Sequence, residues 1–295
     1  MNTKYLLIIL TVLMASCSSS NDKSDAYGNF EATTIIVSSE SNGKILKLNI
    51  EEGQIIKANQ IVGLIDTIDL SLKKQQLIDR KRAIASRLAS ISSQIEVQQQ
   101  QKKNLLVNKD RLEKLFKDGA ATQKQMDDIN GSIDLVNKQI ISINTQKQGI
   151  NDEIQAMGKQ ITQVEEAIKK CYIINPVKGT ILAKYAEQDE ITMFGKPIYK
   201  IANLDEMKLK VYISGSQLPQ IKLGQRVEVL VDKDASTYLK LNGTICWISQ
   251  TAEFTPKIIQ TKKERVNLVY AVKVQLKNDG TLKIGMPGEI NFKYK

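Results

Sequence analysis

Apolar residues recur at alternating three- and four-residue spacing over two long stretches without proline, 70–116 and 126–171, and this period predicts helices. In the second, Met126, Ile129, Ile133, Val136, Ile140, Ile143, Ile150, Ile154, Met157, Ile161, Val164, Ile168 and Cys171 form one seam, with Lys147 taking a single place in it. In the first, Leu77, Ile84, Ile91, Leu105 and Leu112 share one heptad position and Leu88 and Ile95 another, while Gln98 and Lys102 interrupt it. Sustained heptads of this kind make coiled coils. Two helices of about 47 residues would each reach roughly 70 Å. Matched lengths around a short connection favour an antiparallel hairpin over two separate dimeric coils. The connection has the residues of a helix reversal. Gly119 can take the left-handed conformation that ends a helix, Lys114 and Lys117 lie near the negative helix end, and Thr122 with Gln125 is a capping-box pair opening the second helix.

The pattern changes on both sides of the hairpin. SNGKILKLNIEEGQIIKANQIVGLID, from Ser41, and VKGTILAKYAEQDEITMFGKPIYKIANLD, from Val177, match at a constant offset of 136 residues: Gly43 with Gly179, Ile45 with Ile181, Glu51 with Glu187, Ile55 with Ile191, Val62 with Ile198 and Ile65 with Ile201. Short strands and turns repeated without a gap predict two halves of one β module into which the hairpin is inserted. From Met207 onward, MKLKVYIS, RVEVLVD, LNGTICWIS, LVYAVKVQLK and GEINFKYK read as strands, with a short helix near 217–221. If the stretch 29–37 joins them, about six strands close a small barrel. Trp247 and Phe254 read as barrel core or wall, and Lys262, Lys263 and Arg265 as a solvated loop.

Composition narrows the function. The 295 residues hold no histidine, which removes His-dependent triads and HExxH zinc sites and leaves enzyme readings at a disadvantage. Forty-two Lys and Arg against 32 Asp and Glu give a net charge of +10, compatible with nucleic acid or anionic lipid as partner. The N-terminus decides between these. Lys4 precedes an apolar run, 6–15, too short to span a bilayer, which takes about 20 residues; it reads as an export signal. Export makes nucleic acid an unsuitable partner. The polar run 18–25 has too little apolar content to fold and is expected to be a tether. Cys171 and Cys246 fall in different predicted domains and are expected to be buried free thiols.

Several of these features together resemble a known family. Met14-Ala15-Ser16-Cys17 resembles the bacterial lipobox, with its leucine displaced by one to Leu13, and this implies a lipid-modified Cys17. The paired β segments resemble the half-motifs of a biotinyl/lipoyl domain. In carrier proteins those halves meet at a turn bearing a modified lysine, whose place is taken here by the coiled coil. Lipobox, split module, hairpin and β-rich tail, in this order, resemble the HlyD-type periplasmic adaptors, or membrane fusion proteins, and AEFTP, RVNLVYAVKV and IGMPG resemble the group serving ABC-type exporters. The resemblance implies a β-plus-α chain without catalysis, metal or cofactor. It divides as signal 1–16, lipidated tether 17–29, first lipoyl half with a leading barrel strand 30–67, hairpin 68–172, second half 173–203 and barrel 204–295. Adaptors that dock TolC-like outer-membrane channels carry Arg, then Leu four residues on, then Ser seven further, at the hairpin tip; Arg111, Leu115 and Thr122 stand in those places. Thr122 is equally readable as an N-cap, and Gly119 as a turn residue. The partners implied are an inner-membrane transporter, a TolC-like channel, further copies in a hexameric ring, and the inner membrane of a Gram-negative bacterium through the lipid. A structural coiled-coil lipoprotein and a lipoyl carrier subunit remain as alternatives.

Overall fold

The computed structural model describes residues 24–234, 237–254 and 268–292. The signal segment, Cys17 and the loop cations Lys262, Lys263 and Arg265 lie outside the described residues.

Five short strands lead into the helices: β1 (Ala26–Glu31), β2 (Thr34–Ser38), β3 (Gly43–Leu48), β4 (Ile55–Ile56) and β5 (Ile61–Ile65). Helix α1 (Ile68–Lys117) and helix α2 (Gln123–Lys169) follow, with 50 and 47 residues. Four more short strands come next, β6 (Tyr172–Ile174), β7 (Gly179–Lys184), β8 (Ile191–Thr192) and β9 (Pro197–Ala202). The chain then runs through β10 (Glu206–Ser214), β11 (Arg226–Asp232), β12 (Tyr238–Ile248), β13 (Glu253–Phe254), β14 (Leu268–Lys277) and β15 (Pro287–Asn291).

Strands β2 to β9 build a two-sheet module in orders β2-β9-β7-β4 and β6-β5-β3-β8. Adding 136 to β3 and β4 gives β7 and β8 residue for residue, and the same shift carries each sheet onto the other. The hydrogen bonds obey this relation as well. Gly53 N–H donates to Ile181 O at 2.9 Å, as Asp189 N–H donates to Ile45 O at 2.8 Å; Asn59 N–H donates to Asn175 O at 2.7 Å, as Gly195 N–H donates to Ser39 O at 2.8 Å. All four donors are in the left-handed region. The sequence repeat is therefore an internal twofold whose halves share one core, which includes Ile45, Ile65, Cys171, Ile181, Ile198 and Ile201. Cys171, expected as the last residue of the helical seam, lies beyond the end of α2 and in this core instead. Its thiol donates to Ser41 Oγ at 3.3 Å.

The second β unit is closed. Sheet order β10-β1-β15-β11-β12-β14-β13, with β14 also pairing β10, makes a six-stranded barrel with β13 as a short outer strand. Strict alternation along β10 puts Met207, Leu209, Val211 and Ile213 inside. The leading strand differs from the expected 29–37. Only β1 joins the barrel, with Ala26 and Phe30 buried, and it starts within the segment read as tether; Thr34–Ser38 pairs with β9 in the other module. Trp247 is on the outer wall, not in the core. A bulge at Cys246, between Ile245 and Trp247, turns the indole outward, where Lys273 Nζ stands 5.5 Å from its ring. Both cysteines are free, but Cys246 is half-buried where full burial was expected.

Candidate functional site: the hairpin tip

The helices reach the tip on the seam that their heptads describe. Ile84 and Ile95 of α1 and Ile133, Val136, Met157 and Val164 of α2 are buried. Lys74 pairs with Glu165 at 2.8 Å and Arg87 with Glu153 at 3.4 Å, in keeping with the antiparallel register of the seam. The Lys74 ammonium holds the Glu165 carboxyl below its usual range. Gln98 interrupts the seam as its residue type suggests, and its Oε1 is buried without a hydrogen-bond partner.

The reversal is built from backbone groups. At the end of α1, Ala120 N–H donates to Leu115 O at 2.8 Å and Gly119 N–H to Phe116 O at 3.1 Å, with Gly119 at φ 76°. This is the Schellman pairing, and it occupies the carbonyls a helix end leaves open. At the start of α2, Thr122 Oγ1 accepts from Gln125 N–H at 3.3 Å while Thr122 N–H donates to Gln125 Oε1 at 2.8 Å, a complete capping box.

None of this uses the Arg111 or Leu115 side chains. They lie four residues apart on one helical face, both exposed, Leu115 at 48 %. Neighbouring charges are paired, Lys114 with Asp110 at 2.8 Å and Lys109 with Glu113 at 3.7 Å, whereas Arg111 has no ion pair among the described residues. The hydrogen bond and charge of Lys114, with a smaller push from Arg111, hold the Asp110 carboxyl below the usual carboxylate range. Thr122 is exposed, and its hydroxyl is engaged in the cap. Heptad spacing alone does not mark Phe116 as part of this surface. It lies four residues after Leu112, so the heptad continues to it, but it is 40 % exposed and adds an aromatic surface beside Leu115. Among the described residues no three Cys, Asp or Glu groups are placed to share a metal ion, and no helix is long and apolar enough to cross a membrane.

Residues 203–292 match the family model described as LcnD-like, C-terminal domain. The UPF0194 membrane protein YbhG of Salmonella gallinarum is 23% identical over 94% of this chain and 91% of its own length. A UPF0194 membrane protein of Yersinia pseudotuberculosis is 31% identical over a shorter span, 41% of this chain and 36% of the relative. Among solved structures, MacA from Actinobacillus actinomycetemcomitans superposes over 90% of this chain and 76% of its own with a TM-score of 0.57 at 20% identity. The membrane fusion protein Spr0693 from Streptococcus pneumoniae R6 superposes over 91% of this chain and 98% of its own with a TM-score of 0.58 at 14% identity. Hairpin, module and barrel in this order give the chain the fold of these solved proteins. These likenesses agree with the resemblance to HlyD-type adaptors that the sequence carries.

Proposed function

We propose that this chain is a lipid-anchored periplasmic adaptor, held to the inner membrane through Cys17, that links an ABC-type exporter to a TolC-like outer-membrane channel and performs no catalysis itself. Copies side by side form a ring, six by the pattern of the family, with hairpins making a tube and barrels a collar toward the transporter. The two β halves are read as a split lipoyl-type module, in which α1 and α2 stand where a carrier protein has its modified-lysine turn. The exact 136-residue relation between the halves supports this reading.

One observation carries the docking role: the tip closes its own hydrogen bonds and still presents Arg111 and Leu115 outward. In this reading Arg111 donates to carbonyls or carboxylates at the channel mouth and Leu115 fills an apolar notch. Thr122 keeps its cap and adds a methyl group and an acceptor lone pair to the same surface. The test is site-specific photo-crosslinking from Leu115 in cells containing the candidate channel, beside an Arg111→Asp variant. Capture of the channel, lost in the variant together with export, is the expected result. Cross-links to copies of the chain alone, with export intact in the variant, would reduce the tip to a turn.

A further inference from the structure

The barrel has two unlike ends, and the N-terminal tether is fastened to one of them. Strands β1, β11 and β14 begin, and β10, β12 and β15 finish, at the end opposite to the one where the chain passes to and from the module. Here Ser24 Oγ donates to Glu289 Oε2 at 2.5 Å, Asp25 N–H to Ile290 O at 2.9 Å, Gln217 Nε2 to Asp25 O at 2.7 Å, and Phe292 N–H to the Asp25 carboxylate at 2.7 Å. Residues 18–23 alone separate this clamp from Cys17. The Cα steps from Cys17 to Ser24 span at most about 25 Å when fully extended. An acyl chain carried by Cys17 into the bilayer therefore keeps this end of the barrel within that distance of the lipid surface.

The clamped end also carries an apolar corner that the fold does not use. Lys222 to Gln225 form a tight turn, in which Gln225 N–H donates to Lys222 O at 3.1 Å and Gly224 takes φ 81°. Gly224 N–H donates to Ile245 O at 2.8 Å and ties the turn to the barrel wall. Leu223 at its corner is 69% exposed. Exposed cations flank it, Lys222 and Arg226, neither of them in an ion pair among the described residues. The acids nearby are engaged, Asp25 and Glu289 in the clamp and Glu253 with Lys210 at 3.5 Å. A matched turn stands at the opposite end, Lys283 to Met286, with Gly285 at φ 83° and Ile284 43% exposed, but there Gly280 O accepts from Lys283 Nζ at 3.0 Å. An exposed turn corner is thus ordinary in this barrel. Only at the clamped end does it come with unpaired cations and an enforced distance to lipid.

We infer that the Lys222–Gln225 turn is a bilayer contact: Leu223 enters the headgroup region of the membrane that holds Cys17, with Lys222 and Arg226 against anionic lipid phosphates. Binding at a membrane surface grows with the apolar area buried and with the attraction of cations to anionic lipid, and a turn already held rigid loses little freedom on entry. This rests on the lipidated Cys17 of the reading above. The experiment places a photo-crosslinking residue at position 223 of the full-length protein in its own membrane, beside one at position 284. Adducts are identified by mass spectrometry, and acylation of Cys17 is read from the N-terminal peptide of the same sample. Expected is a phospholipid adduct at 223 and none at 284, with the yield at 223 reduced about fivefold by Lys222→Gln, the weight of one basic residue at an anionic surface. Lys222 is exposed, so that variant keeps the fold. Links from 223 to polypeptide alone, which would make the turn a transporter contact, or equal lipid yields at the two positions, overturn the inference. An acylated Cys17 without a lipid adduct at 223 overturns this inference alone, whereas an unmodified Cys17 overturns the anchor reading and, with it, the distance on which the inference stands.

Discussion

Thr192 is fully buried on β8 with no partner for its Oγ1, at the place where the internal twofold puts Ile56 in the other half. A buried hydroxyl without a hydrogen bond costs about 1–3 kcal/mol, so Thr192→Val, nearly the same shape, should raise the denaturation midpoint by about 1 kcal/mol of stability. An unchanged or lower midpoint in urea would mean the hydroxyl is satisfied. Asn175 shows the opposite case. Its Nδ2 donates to Lys57 O at 2.7 Å and Val177 O at 2.6 Å, and its Oδ1 accepts from the Tyr199 hydroxyl at 3.1 Å. Burial pushes the Tyr199 phenol well above its ordinary range. The unfolded chain therefore releases this proton at a lower pH than the folded one does. The stabilisation is complete below pH about 10, the phenol's usual value, and is lost as pH rises beyond it. Tyr199→Phe should flatten that alkaline decline, measured as the difference between denaturation curves of the two proteins from neutral pH upward. Neither residue was legible in sequence. Asn175 falls among turn-like residues and Thr192 in an ordinary strand, and only pairing across the module shows which polar groups are enclosed and which are left alone.

At the scale of elements, the helices were largely readable because one period ran through each of them. Seam, reversal at Gly119 and capping box at Thr122 all follow from local spacing, and the structure has them. Gln98 is the seam's visible fault, and filling it is a direct test. Gln98→Leu should stabilise the hairpin by about 1–2 kcal/mol by removing an enclosed acceptor, seen as slower amide exchange on both helices near that level. Faster exchange would make Gln98 a polar layer that fixes the register. Thr122→Ala removes the cap at about 1 kcal/mol, while Thr122→Ser keeps it, so amide exchange at the start of α2 should rise in the first variant only. Strand membership was less legible. Ala26–Glu31 and Thr34–Ser38 are adjacent in sequence and similar in alternation, and only their partners, β10 and β15 for one and β9 for the other, assign them to different units. The bulge that turns Trp247 outward adds one residue to a strand and leaves no mark in an apolar pattern.

For the whole molecule, the hairpin leaves and re-enters the module through one doorway. β5 and β6 pair antiparallel, and Ile65 N–H donates to Cys171 O at 2.8 Å across the point where the helices begin. Replacing residues 68–169 by a short turn should therefore leave module and barrel folded, with the far-ultraviolet spectrum losing its helical bands and keeping a cooperative thermal transition. Collapse of that transition would show that the helices hold the module together. The seam has a further consequence for reach. Because its knobs recur every seven residues on both helices, the arm can be lengthened or shortened without rotating the tip only by whole heptads taken from α1 and α2 together. Each such step is about 10 Å. The hairpin is thus a ruler with fixed graduations, and a partner at any intermediate distance must be met by tilting the arm rather than by trimming it.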